Sequence, residues 1–134
     1  MIFGDEENNQ VSEVCEALDP YQQMIMGRLG RESTVFNNGK YIKDLSYLNR
    51  DLKDIIYIDF SDEKVEFHKD NAIIIPRWSG DSSDRELYDI LPFLENLGQN
   101  YGADVRNEIK KYGKEGTGKK YIELQSARRD FILN

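Results

Sequence analysis

Two uninterrupted apolar runs constrain the fold of this chain more than any other feature. Residues 55–58 and 72–75 are rich in β-branched side chains and do not alternate with polar ones. Runs of this kind are typical of parallel strands that are covered on both faces, whereas half-exposed antiparallel strands alternate. We therefore expect an α/β fold in which helices flank a parallel sheet.

Helical spacing of apolar residues predicts helices on both sides of these strands. Before them, an i, i+3, i+4, i+7 pattern that stops at Asp19-Pro20 is formed by Val11, Val14, Cys15 and Leu18. After them, Ser83-x-x-Glu86 has the spacing of a capping box. It predicts a helix over about residues 84–97, whose apolar stripe comprises Leu87, Ile90, Leu91 and Leu94.

A tight hairpin is the clearest local prediction. Residues 33–36 and 40–42 flank Asn37-Asn38-Gly39, and Asn and Gly tolerate the positive φ that a two-residue turn requires.

The sequence gives little support for a catalytic thiol, a catalytic histidine or a metal site, because the chain contains one cysteine and one histidine. A Cys15–His68 pair would be needed for a thiol nucleophile, and the two residues lie on unrelated segments. We expect Cys15 to be a core residue and His68 to be structural or exposed. No internal disulfide and no multi-histidine metal site can form.

Charge divides the chain into an acidic body and a basic tail. The 134 residues carry 18 basic and 25 acidic side chains, a net charge of -7. Residues 98–134 hold 8 basic and 5 acidic groups, so residues 1–97 are strongly acidic. We predict a folded domain over 1–97 and a tail over 98–134 with helices near 103–112 and 119–131. The acidic balance argues against nucleic-acid binding, and no apolar run approaches the roughly 20 residues of a membrane helix.

The segment between the two tail helices resembles a phosphate-binding loop in spacing only. Gly113 and Gly118-Lys119 fit G-x-x-x-x-G-K, but Lys120 stands where Ser or Thr should hold magnesium. We interpret the segment as a flexible basic linker.

A series of motifs between Asp19 and Leu97 carries a resemblance to a known family. The motifs are Arg31-Glu32-Ser33, Asn38-Gly39, Tyr41 to Ser46, Leu48-Asn49-Arg50-Asp51-Leu52, Ile58-Asp59, Asn71-Ala72-Ile73, Trp78 and Leu91-Pro92-Phe93-Leu94. Together they resemble the second half of the phosphatases that act on the RNA polymerase II C-terminal domain, a branch of the haloacid-dehalogenase superfamily. Within it, Asn49 and the later motif Asp104-Val105-Arg106 make the sequence more similar to the presequence-receptor subunits of the mitochondrial inner-membrane translocase.

The resemblance implies a partial haloacid-dehalogenase-like (Rossmannoid) parallel sheet with flanking helices, a hairpin and a helical tail, lacking the first strand. The catalytic D-x-D motif that the family carries there is missing, since no two aspartates lie two positions apart. Gly4 takes the place of the family's phosphate-binding Thr or Ser.

Two further positions match the family's site. By resemblance, Lys43 is the lysine that neutralises phosphate and Asp59 the acidic residue that holds magnesium. One hypothesis makes them a vestigial ion pair that holds the hairpin against the sheet; another completes the site with a second polypeptide. We interpret Lys40, Lys43, Arg50 and Lys53 as part of a solvated face of mixed charge rather than as a basic patch.

The function implied by the resemblance is non-catalytic. We expect a polypeptide-binding or structural subunit of a mitochondrial inner-membrane complex, with protein partners and no cofactor. The alternative is half of a split protein phosphatase that uses magnesium. For partner contact the tail offers these apolar and basic groups: Tyr121, Leu124, Arg128, Arg129, Phe131, Ile132 and Leu133.

Overall fold

A computed structural model describes residues 1–132, which form short parallel strand pairs, a hairpin and flanking helices. The α/β class is therefore confirmed. Backbone contacts divide the chain into two compact units. The first contains residues 1–44 and 63–66, and the second contains residues 45–62 and those from 67 onward. The predicted boundary at residue 97 does not separate these units.

The first unit combines a parallel pair with a hairpin. Strand β1 (Ile2–Phe3) pairs with β2 (Arg28–Leu29), and helix α1 (Asn8–Leu18) connects them. Strands β3 (Val35–Asn37) and β4 (Lys40–Ile42) pair antiparallel. Their turn places Asn38 at φ 48° and Gly39 at φ 78°, which confirms the predicted hairpin.

The second unit contains the predicted parallel strands. Strand β5 (Tyr57–Asp59) pairs with β6 (Ala72–Ile74), with Tyr57 opposite Ala72. The Asn71 side chain donates hydrogen bonds to the carbonyls of Leu52 and Ile55, at 2.6 and 2.7 Å, and so fixes the start of β6. Three helices follow: α2 (Glu86–Gln99), α3 (Val105–Tyr112) and α4 (Thr117–Ile132).

Helix α1 buries half of its predicted stripe. Val11 and Cys15 are buried, as expected for a core cysteine, whereas Val14 and Leu18 are exposed. The prediction was wrong for these two because only the Val11 and Cys15 side of the helix is covered by the first unit. The predicted end of the helix at Asp19 is confirmed.

The predicted start and core face of α2 need correction. The helix begins at Glu86, and Asp84 accepts the Glu86 N–H at 3.0 Å. Ser83 donates instead to Asp81, so the capping box does not form. The buried side chains of α2 are Ile90, Phe93 and Leu97, whereas the predicted Leu87 and Leu91 are exposed.

The basic tail is part of the core of the second unit. Phe93 of α2, Tyr112 of α3 and Tyr121 of α4 have ring centres 5.4 to 5.7 Å apart in tilted, edge-to-face arrangements. Around them lie Ile73, Ile90, Leu97, Val105 and Ile109.

The glycine-rich segment is a close helix junction and not the flexible linker that we expected. Gly113 ends α3 at φ 82°, and Thr117, buried at the start of α4, donates to the Gly113 carbonyl at 2.6 Å. A Cβ on Gly118 would lie 2.4 Å from the Asp89 carbonyl oxygen. The absence of a side chain at Gly118 therefore lets α4 cross α2 at backbone contact.

Side-chain truncation distinguishes the observed core face of α2, which contains Phe93, from the face predicted from the sequence, which contains Leu91. Phe93→Ala removes a fully buried ring and should lower the free energy of unfolding by about 3 to 5 kcal/mol. Leu91→Ala removes a half-exposed side chain and should change it by less than about 1 kcal/mol. Denaturant titration followed by circular dichroism measures both, and equal losses would contradict the face described here.

Candidate functional site

A cleft of about 500 Å³ lies at the carboxyl ends of β5 and β6 in the second unit. In open parallel sheets this edge is where ligands commonly bind, because the connections that leave the strands diverge there. The lining side chains come from the ends of the two strands, the loop after β6 and the start of α2: Ile58, Asp59, Phe60, Ile75, Pro76, Arg77, Trp78, Asp84, Glu86, Leu87 and Tyr88.

The walls of the cleft are mainly apolar and aromatic. Trp78 is 70% exposed, and Phe60, Leu87 and Tyr88 are also exposed, although each is large and apolar. The indole N–H of Trp78 donates to the Asp81 carbonyl at 3.1 Å, which orients the ring. An exposed apolar surface of this kind is typical of a binding site.

Arginine side chains stack on two rings of this surface. The Arg77 guanidinium carbon lies 5.1 Å from the centre of the Phe60 ring, and that of Arg85 lies 5.3 Å from the centre of the Tyr88 ring. Such cation–π contacts stabilise exposed pairs by about 0.5 to 1 kcal/mol. The rings are therefore held in place while one face of the cleft stays open.

Three carboxylates lie among the apolar walls. Asp59 accepts the Phe60 N–H at 2.7 Å and the Tyr57 hydroxyl. Asp84 accepts the N–H of Glu86, the first residue of α2, and Glu86 forms an ion pair with Lys119. Within the part of the chain that is described, neither cysteine nor histidine lines the cleft. The arrangement suits binding of a ligand with apolar and cationic groups better than covalent chemistry.

A second cleft of about 300 Å³ adjoins the first. The two share Phe60, Ile75, Pro76 and Glu86, and the second adds Ile74, Glu115, Gly116 and Lys119. The Ile74 N–H donates to the Lys114 carbonyl at 2.8 Å, so the segment that leads into α4 covers the edge of β6. The two clefts form one groove along the carboxyl edge of the strands.

Lys43 lies in the first unit and is buried. Its side chain is 2% exposed, its Nζ lies 3.0 Å from an Asp5 carboxylate oxygen, and the Phe3 ring centre is 5.6 Å away. The predicted solvated face is thus wrong for Lys43. Asp59 belongs to the second unit, where it lines the cleft, and the pairing of Lys43 with Asp59 stays a prediction.

The backbone of Gly4 packs closely against β2 and α1. Its N–H donates to the Leu29 carbonyl at 2.8 Å, and a Cβ on Gly4 would lie 2.6 Å from Val11 Cγ2. A Thr or Ser at this position would require the Val11 side chain to shift.

The predicted partner-binding residues of the tail are not all available. Tyr121 is buried in the aromatic core of the second unit. The others on α4 are exposed, namely Leu124, Arg128, Arg129, Phe131 and Ile132, and Leu133 lies outside the described residues. Their contact with a partner stays a prediction.

The groove was not predicted from the sequence. Trp78 entered the sequence analysis only as part of a motif. Position along the chain could have indicated the groove, because Phe60 and residues 76–78 come shortly after the two predicted strands, where ligands commonly bind.

No helix within residues 1–132 is both long and apolar enough to cross a bilayer. Nor does this range contain three His, Cys, Asp or Glu side chains grouped to hold a metal ion.

Comparison with known proteins identifies relatives along the whole chain. The family model described as NLI interacting factor-like phosphatase matches residues 1–106. The chain is 39% identical to the mitochondrial import inner membrane translocase subunit tim50 of Aspergillus fumigatus, over 99% of this chain and 25% of that protein. It is 38% identical to subunit TIM50-B of Drosophila melanogaster, over 84% of this chain and 27% of that protein.

A phosphatase is also similar. The human carboxy-terminal domain RNA polymerase II polypeptide A small phosphatase 1 is 49% identical over 84 residues, which are 63% of this chain and 32% of that protein. The chain thus spans between a quarter and a third of the length of these three relatives.

Proposed function

Because the chain belongs to the family of NLI interacting factor-like phosphatases, we propose that it is the polypeptide-binding part of a mitochondrial inner-membrane translocase subunit in which the phosphatase fold no longer catalyses. The translocase assignment rests on similarity to tim50 subunits of fungi and animals. In this proposal the chain acts at the mitochondrial inner membrane and its partners are proteins. Since the relatives are much longer, the role proposed for this chain is that of one binding module.

The groove at the carboxyl edge of β5 and β6 is the observation that carries this proposal. Its exposed aromatic wall offers area for apolar side chains, and Asp59 and Asp84 place negative charge beside that wall. A polypeptide segment with one apolar face and one basic face matches both features. We therefore take basic amphipathic segments as the class of ligand.

The non-catalytic part of this proposal is supported by the residues present. An aspartyl-phosphate intermediate requires a carboxylate nucleophile and an acid/base on one loop. Residues 1–134 contain no D-x-D pair, and Gly4 carries no hydroxyl. The proposed function needs no cofactor.

The alternative is half of a split protein phosphatase. The similarity to the human small phosphatase and the position of Asp59 at the end of β5 favour it. Asp59 would then help to hold magnesium, and another chain would have to supply the nucleophile. In this alternative the nucleophile comes from outside residues 1–134, whereas peptide binding uses the groove as it stands.

Peptide binding can be measured directly, because Trp78 is the single tryptophan of the chain and lines the cleft. A synthetic basic amphipathic helical peptide should change the Trp78 fluorescence saturably. A peptide of the same composition, scrambled so that its apolar and basic residues no longer segregate, should bind at least about tenfold more weakly, which corresponds to about 1.4 kcal/mol.

A tyrosine pair provides the matched control. Tyr88→Ala removes part of the cleft wall and should weaken peptide binding about tenfold or more, in the range for an aromatic contact residue. Tyr101→Ala removes a ring that is 94% exposed and outside the cleft, and should leave the affinity unchanged. Equal affinities of both variants and the parent would place the peptide elsewhere.

Phosphatase activity should be absent from the purified chain. Without a D-x-D pair, hydrolysis of a chromogenic phosphomonoester should equal the buffer rate with or without magnesium. A magnesium-dependent rate that disappears in Asp59→Asn would show that the chain is an enzyme and would contradict the non-catalytic proposal.

A further inference from the structure

One carboxylate of the groove is already paired with a positively charged side chain. Glu86 lines both clefts, and Lys119 of α4 donates a hydrogen bond to its carboxylate. The Glu86 side chain is only 16% exposed, whereas that of Lys119 is 56% exposed. The ammonium group therefore reaches from the solvent side onto a carboxylate at the junction of the two clefts.

The surroundings of Lys119 keep it charged. The hydrogen bond to Glu86 raises the pKa of Lys119, and the negative charges of Asp89 and Asp84 act in the same direction. At neutral pH the contact is thus an ammonium–carboxylate pair, which is the pair that a lysine or arginine of a bound polypeptide would form with Glu86.

We propose that Lys119 is an internal competitor for Glu86, which a basic polypeptide must displace when it binds the groove. This inference rests on the proposed function, because it assumes that the ligand is a basic segment. Lys119 would then set how strongly the groove discriminates between ligands: only a segment that also fills the apolar wall would gain enough to release the ion pair.

The geometry allows this displacement at little cost to the fold. Lys119 is the third residue of α4, whose backbone is fixed at Gly118 against Asp89 and whose Tyr121 is buried. The lysine stem can therefore swing into solvent while the helix stays in place. A partly exposed ion pair contributes little to stability, so its loss should not unfold the unit.

Neighbouring lysines allow a test that separates this competition from net charge. Lys119→Gln frees Glu86 and should tighten binding of the basic amphipathic peptide about two- to fivefold, the range of a partly exposed ion pair. Lys120→Gln removes the same charge one residue away, where Lys120 contacts the Glu115 carbonyl at 3.0 Å. It should change the affinity by less than about 1.5-fold, since surface charges are screened by salt. Trp78 fluorescence measures all affinities.

A double variant shows whether any gain acts through Glu86. In Lys119→Gln/Glu86→Gln the affinity should return to that of the parent, because the freed carboxylate is gone. A gain that survives in the double variant, or one that Lys120→Gln reproduces, would overturn the competition while leaving peptide binding intact. Absence of binding by the parent and by every variant would overturn the proposed function as well. Circular dichroism checks that each variant is folded.

Discussion

The close crossing of α2 and α4 is the contact on which the rest of the second unit depends. Gly118 lets the two backbones meet at Asp89, and the rings of Phe93, Tyr112 and Tyr121 fill the space beside the crossing. Aromatic burial on this scale is a main source of stability in a small core. The same crossing brings Lys119 to Glu86, so packing and the electrostatics of the groove share one cause.

The groove is a consequence of how the parallel strands end. Strands β5 and β6 are parallel, so the loops that leave them open at the same edge. The loop after β6 carries Pro76, Arg77 and Trp78 to that edge, and the start of α2 provides the opposite side. Phe60, Trp78, Leu87 and Tyr88 remain exposed at this edge, and an exposed apolar cluster of this kind is typical of a binding site.

Sequence patterns predicted the elements better than their faces. The runs at 55–58 and 72–75 and the Asn38-Gly39 turn are local signals, and the structure confirms them. The core face of α2 was misassigned because Ile90 and Leu94 fit two helical patterns, the predicted one with Leu87 and Leu91 and the observed one with Phe93 and Leu97. Packing against α4 decides that the second pattern is buried. Likewise, Asp84 accepts the Glu86 N–H that Ser83 was expected to accept, and Ser83 donates to Asp81 instead. These choices depend on tertiary contacts, as does the groove.

The most direct test of this account is amide chemical-shift mapping of the ¹⁵N-labelled chain during titration with the basic amphipathic peptide. Peptide binding in the groove predicts the largest shift changes for the amides of residues 58–60, 75, 77–78 and 84–88, and for the indole N–H of Trp78. Changes confined to the first unit, or to the exposed end of α4 around Arg128 and Phe131, would contradict the assignment of the groove as the polypeptide-binding site.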